Sequence, residues 1–265
     1  AMTATVEPVY RWAGQRRKRR FDRGLGDIDQ AHVPVISIGN ITVGGTGKTP
    51  TVIDFAEKLL EIGMSPAVVM RGYKAAGESE EADEARLIRQ RLPDVTVLAD
   101  PNRRRSIETL RKAQPQVDVI LFDDGFQHRR VHRDWDVVLI DATQPTGLGH
   151  VLPHGLLREP LENLSRADAV LISHADRVDE DELEHVKKIV EQYHGKAALA
   201  TLAHQWDVVL DDEDRAVTLS PDTRLWAFCG IGSPQRFIEQ AGESADLACW
   251  DIYEDHHRYT VDDLH

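Results

Sequence analysis

Cysteine is scarce in this chain: two in 265 residues, Cys229 and Cys249. They are too few and too far apart for a disulfide framework or a thiolate metal motif, and they suit a reducing, cytosolic setting. Long hydrophobic runs are missing too. No stretch of about 18 apolar residues occurs, so no segment is expected to span a membrane as a helix, and no secretory signal pattern is present. A cation surplus is also lacking. The net charge of −13 excludes general nucleic-acid binding by the body of the protein. Internal repeats and low-complexity segments are absent, and nothing marks an obligate protein partner. Ala1 ahead of Met2 reads as a cloning remnant.

The composition is 41% hydrophobic, enough core for one large or two modest domains. Charge is unevenly spread. Between Tyr10 and Arg23, seven cations face one carboxylate, Asp22, so this segment carries +6 and the remainder −19. Val9, Tyr10, Trp12 and Phe21 are interleaved with the cations. Such a segment can lie on an anionic membrane surface, where each cation contributes about 1 kcal/mol. A solvated helix face reads equally well.

Apolar runs at Val35–Ile38, Ala67–Met70, Val119–Phe122, Val137–Ile140, Ala169–Ile172 and Leu225–Phe228 are continuous rather than alternating, as in strands buried on both faces. Helical patterns separate them. Thr51–Ile62 places Val52, Phe55, Ala56, Leu59 and Leu60 on one side, with Gly63 as its stop. Glu80–Leu92, Asn102–Lys112 and Asp179–His194 are further helices. The alternation predicts an α/β fold, a phosphate-loop parallel sheet flanked by helices. The acidic stretch Ala203–Asp222 reads as a linker or a short two-stranded connection. A smaller α/β unit then starts at Leu225, with a helix from about Gln235, and it reads as truncated.

Thr42-Val43-Gly44-Gly45-Thr46-Gly47-Lys48-Thr49 follows the first strand and precedes the first of these helices. Strand, glycine-rich loop and helix form the setting in which backbone N–H groups converge on phosphate oxygens. Lys48 is suited to the β- and γ-phosphates of ATP, and the Thr49 hydroxyl to Mg²⁺. The loop is irregular, because Thr42 stands where the usual first glycine belongs. A second signal is the apolar strand from Val117 ending in Asp123-Asp124-Gly125. Carboxylates at a strand's C-terminal edge beside a glycine loop suit Mg²⁺, a hard cation with oxygen ligands. Asp141, at the end of another apolar run, reads as a loop residue.

Gln127 and His128 follow on the same side of the sheet. His128/His132 and His150/His154 have the i, i+4 spacing that holds Zn²⁺ on a helix. Their glycine- and proline-rich surroundings argue against helices, so they read as ordinary polar histidines. Leu152–Pro160 is a rigid loop carrying Arg158 and Glu159, either a structural ion pair or an Arg that offsets charge on a transferred phosphoryl group. Asp83-Glu84 and Asp255-His256-His257 have bland local readings.

Together these segments resemble the tetraacyldisaccharide 4′-kinase family, the lipid A 4′-kinases of bacteria with an outer membrane. The matching stretches are Pro34–Pro50, Met70–Tyr73, Asp83-Glu84, Asp123–His128, Leu152–Pro160, Cys229–Phe237 and Asp255–His257, in family order over nearly the whole chain. The resemblance implies transfer of the γ-phosphate of ATP to the 4′-hydroxyl of an acylated glucosamine disaccharide 1-phosphate. It implies Asp83 as the base, coupled to His256, with Asp123 and Asp124 serving Mg²⁺ and the phosphates. Gln127 and Arg158 would support substrate and transition state, with Glu84 and Glu159 as secondary acids. It also implies a peripheral protein on the cytoplasmic face of the bacterial inner membrane. The expected domains are a basic membrane-facing segment (1–30), a phosphate-loop kinase domain (31–202), a linker (203–223) and a partial C-terminal domain (224–265). The chain departs from the family in its less apolar first helix and in stopping at His265, where the family continues through another helix and strand. An alternative is a nucleotide-switch ATPase of the partitioning or scaffold type. Its loop carries a lysine where this chain has Val43.

Overall fold

The computed structural model describes residues 2–72, 83–114, 116–205, 209–211, 213, 215–231, 234–254, 257, 259–260 and 263, with backbone alone at 2–5 and 83. The chain divides into two units, Ala1–His204 and Gln205–His265.

The first unit is built on seven parallel strands: β1 (Val35–Asn40), β2 (Pro66–Met70), β3 (Thr96–Ala99), β4 (Val119–Asp123), β5 (Trp135–Asp141), β6 (Ala169–Ser173) and β7 (Ala200–Thr201). Their order across the sheet is β3-β2-β4-β1-β5-β6-β7. Its helices are α1 (Met2–Asp22), α2 (Lys48–Glu61), α3 (Asp83–Arg91), α4 (Arg103–Ala113) and α5 (Glu180–His194).

Successive side chains on a strand point to opposite faces, and the core divides accordingly. Val68 and Met70 of β2 join Val52 and Ala56 of α2 and Ile88 of α3 in one cluster. Ala67 and Val69 of the same strand join Ile107 and Leu110 of α4 in another. Val138 and Ile140 of β5 pack with Val186 and Val190 of α5. Strands β2, β4 and β6 are buried at every position, which is why their sequences are unbroken apolar runs.

Several boundaries differ from the sequence expectation. Helix α2 starts at Lys48, with Thr49 and Pro50 inside its first turn. Leu60, expected on the inner side, is 39% exposed. Asp141 is the last residue of β5, not a loop residue, and its Oδ2 lies 3.0 Å from Nδ1 of the buried His174. Strand β3 is an additional edge strand, only partly buried. Helices α4 and α5 start one residue late because Asn102 and Asp179 are their caps. Asn102 accepts from Arg105 N, and Asp179 forms a reciprocal capping box with Glu182.

The second unit holds an antiparallel pair, β8 (Val209–Leu210) and β9 (Ala216–Val217), within the stretch read as a linker or two-stranded connection. Strands β10 (Arg224–Cys229) and β11 (Asp246–Ile252) run parallel, connected through α6 (Pro234–Ser244). Among the described residues, no helix is long and apolar enough to cross a membrane.

Candidate active site

Strand β1 lies at the sheet's switch point: the chain leaves it for β2 beyond β4, whereas β5 pairs on its other side. Open parallel sheets bind ligands at such a point, outside the C-terminal ends of the strands. Three loops meet there.

The first is the phosphate loop, residues 42–49. Buried Asn40, the last residue of β1, donates from Nδ2 to Thr46 Oγ1 at 2.7 Å and pins the loop to the strand. Gly44 and Gly47 have φ of 106° and 79°, which a side chain would strain. A Cβ at Gly47 would also collide with the His204 ring. Thr42, in the place of the usual glycine, is buried and bridges Leu157, so this corner needs no left-handed residue. Val43 N donates to Leu156 O at 2.8 Å. Lys48 and Thr49 open α2, where unpaired N–H groups and the helix dipole favour anions.

The second loop is Asp123–His128. Asp123 ends β4 and stands in register with Ile38 of β1, one strand from the phosphate loop. Asp124 has φ 50°, and Gly39 makes room behind it: a Cβ there would come 2.7 Å from Phe126 Cβ. Lys48 Nζ lies 4.0 Å from Asp124 Oδ1. Burial pushes the Asp123 carboxyl up to about 6, against the pull of Lys48. Burial alone would raise Asp124 too, but Lys48 and Arg158 outweigh it and hold that carboxyl below its ordinary value. Burial lowers Lys48, opposed by Asp124. Gln127 donates from Nε2 to Asn40 O at 2.8 Å, tying this loop to the root of the phosphate loop. Burial and then the nearby Arg103 push His128 down to about 4.

The third loop is 152–160. Arg158 N donates to Ile41 O at 2.8 Å, and its Nη1 donates to both carboxylate oxygens of Asp124 at 2.8 Å. Arg158 and Glu159 therefore do not pair with each other. Glu159 instead accepts from Arg166 Nη1 at 2.7 Å and Asn163 Nδ2 at 2.6 Å. The result is an alternating chain of charge, Lys48–Asp124–Arg158, at the mouth of the phosphate loop.

Comparison with known proteins agrees with this arrangement. A sequence model described as Tetraacyldisaccharide-1-P 4'-kinase matches residues 2–265. The chain belongs to this family. A tetraacyldisaccharide 4'-kinase of Anaeromyxobacter dehalogenans (strain 2CP-C) is 36% identical over 98% of this chain and 73% of its own length. One from Pseudomonas syringae pv. syringae (strain B728a) is 45% identical over 90% of this chain and 71% of its own length. The crystal structure of LpxK from Aquifex aeolicus in complex with ATP superposes with a TM-score of 0.76 at 27% identity, covering 97% of this chain and 82% of that one.

Of the residues expected in a family active site, the structure brings together residues 42–49, Asp123, Asp124, Gln127 and Arg158. Asp83 is the first residue of α3, described in backbone only. The charge of its neighbour Glu84 raises both Lys48 and Asp123, the smallest of the influences on each. His256 lies outside the described residues. Asp123 Oδ1 is buried without a hydrogen-bond partner among the described residues, which suits a hard cation such as Mg²⁺.

One contributor escaped the sequence reading. Arg103 is buried at the start of α4 and stacks over Phe122, with its guanidinium carbon 4.7 Å from the ring centroid. It donates to the carbonyl oxygens of Asp123 at 2.6 Å and Asp124 at 3.2 Å. It thus fixes the backbone that aims both carboxylates. In sequence it is one of three consecutive arginines at a helix start, a pattern that reads as solvated.

Proposed function

We propose that this chain phosphorylates the 4′-hydroxyl of a tetraacyldisaccharide 1-phosphate, a lipid A precursor, with ATP as donor. The loop amides and Lys48 hold the β- and γ-phosphates. Thr49, Asp123 and Asp124 would hold Mg²⁺, which would supply positive charge against that of the phosphates. Asp83 takes the proton of the 4′-hydroxyl as that oxygen bonds to the γ-phosphorus, and the β–γ bridging oxygen leaves with ADP. His256 assists Asp83. Arg158, held in a fixed orientation by Asp124, offsets charge developing on the transferred group. Gln127 keeps the loop in place.

The observation that carries this reading is the approach of Lys48 to Asp124, itself clamped by Arg158, at the end of β1. A helix start, a cation and acidic oxygens converge there, as phosphoryl transfer requires. Nothing comparable favours the switch ATPase.

The helix α1 supports a peripheral location on the cytoplasmic face of the inner membrane. Val9 and Trp12 are 64% and 60% exposed, and Arg16 lies over the Trp12 ring. Exposed cations beside exposed apolar side chains suit an anionic lipid surface.

The test is incubation with ATP, Mg²⁺ and tetraacyldisaccharide 1-phosphate, reading product mass. The lipid is expected to gain one phosphate, and Asp83→Ala and His256→Ala to lose turnover while still binding ATP. ATP hydrolysis indifferent to the lipid would instead favour the switch.

A further inference from the structure

The geometry points to a second metal site, distinct from that of the nucleotide, at which Glu7, His150 and His154 take a divalent ion of the zinc class and fasten α1 to the turn that leads into Arg158. The i, i+4 spacing of the two histidines fits a zinc site on a helix. Here the segment is a tight turn, and the turn does what a helix would have done. Leu157 N donates to His150 O, and His154 N to Val151 O, both at 3.1 Å. The two imidazole centroids then stand 4.3 Å apart, their planes inclined by 77°. Glu7 of α1 reaches the pair from outside the loop. Its Oε2 lies 3.3 Å from His150 Nδ1. One ligand atom from each of the three lies within 4.8 Å of the other two.

These distances fit the chemistry. Two ligands on a tetrahedral Zn²⁺ with bonds of about 2.0–2.1 Å stand about 3.4 Å apart. The Glu7–His150 separation already meets that value, and the ligand atom of the exposed His154 lies within 4.8 Å of both. Two imidazoles and a carboxylate leave a fourth place for water. Imidazole nitrogens favour borderline metals over Mg²⁺, which prefers oxygen. The site therefore does not compete with the Asp123–Asp124 cluster for the same ion.

The consequence is mechanical. Helix α1 already touches the active-site loops through two hydrogen bonds and the turn that follows, Leu161–Arg166, through a third. Tyr10 Oη donates to Arg158 O at 3.3 Å, Arg17 Nη2 to Gln127 O at 3.3 Å, and Lys18 Nζ to Asn163 Oδ1 at 2.6 Å. A metal at Glu7, one turn before Tyr10, adds a second tie between this part of the helix and the same loop, and so orders the basic, membrane-facing segment over the site.

The experiment uses the full chain, stripped of metal and free of ATP, titrated with Zn²⁺ against a chromophoric indicator in excess Mg²⁺. Wild type is expected to bind one Zn²⁺ that Glu7→Gln, His150→Gln and His154→Gln each weaken at least about tenfold, since even outer-shell changes cost about 10–100-fold. Amides of α1 should exchange more slowly with Zn²⁺ in wild type and not in His154→Gln. Circular dichroism checks that each variant is folded. X-ray absorption at the zinc edge of the wild type needs no variant and should show two imidazoles. Equal zinc affinity in wild type and His154→Gln, unchanged affinity in Glu7→Gln, or an all-oxygen shell would each overturn the site.

Discussion

Arg158 illustrates how one side chain acquires a role. Its Nη1 alone spans both oxygens of Asp124, and the planar guanidinium carries further N–H donors in fixed directions, which a lysine ammonium does not. Arg158→Ala is expected to lower kcat by roughly 10²–10³-fold, comparable to loss of one preorganised donor, with a smaller effect on ATP affinity. Arg158→Lys should recover only part of that loss. Steady-state kinetics check this, and full recovery by lysine would reduce the role to that of a point charge. His128 makes a prediction in pH. Its folded value of about 4 lies below its ordinary 6.5, so it folds neutral. Its contribution to stability is therefore complete above about 6.5 and lost as pH falls through 4. Thermal unfolding of His128→Asn against wild type should show the mutant losing less stability between those values. Parallel curves would contradict the burial of the ring. At this scale the phosphate loop and Asp123-Asp124 were legible in the sequence, because their chemistry is set by residues adjacent along the chain. Arg103 and the Glu159–Arg166 pair were not. Their partners are set by how β4, α4 and the 152–160 loop pack, and nothing local encodes that.

Elements follow from burial and caps. Strands buried on both faces declare themselves as unbroken apolar runs, which is why β1, β2, β4, β5 and β6 could be read directly. Edge strands do not. Thr96–Ala99 is partly exposed, and Ala200–Thr201 has only two exposed residues, so neither carries the pattern. Helix starts were displaced by one residue where a side-chain cap precedes the first helical residue. The capping box of α5 gives a direct test. Glu182 N donates to Asp179 Oδ1 at 2.8 Å, and Asp179→Ala should cost about 1 kcal/mol by chemical denaturation. No change in midpoint would mean that the acidic first turn of α5 satisfies the helix end without the cap. His150 and His154 show the converse limit. The glycine- and proline-rich surroundings argue against a helix there, and the segment is a turn, yet that turn brings the rings together.

On the scale of the molecule, charge is partitioned between a basic α1 and an acidic remainder. The cations of α1 divide again. Arg17 and Lys18 are committed to Gln127 and Asn163, whereas Arg11, Arg16 and Arg19 are exposed. Replacing those three by Gln removes about 3 kcal/mol of attraction to an anionic surface at about 1 kcal/mol each, roughly a hundredfold in vesicle partitioning. The loss should shrink as salt rises. Vesicle co-sedimentation measures it, and unchanged partitioning at low salt would leave α1 as a solvated face.

All of this rests on a triphosphate reaching the mouth of β1. A crystal structure of the chain with Mg²⁺ and a non-hydrolysable ATP analogue tests that most directly. The γ-phosphate is predicted within hydrogen-bond reach of Lys48, with the metal on Thr49 and the Asp123–Asp124 pair. A nucleotide bound elsewhere, or a metal remote from Asp123, would contradict the account.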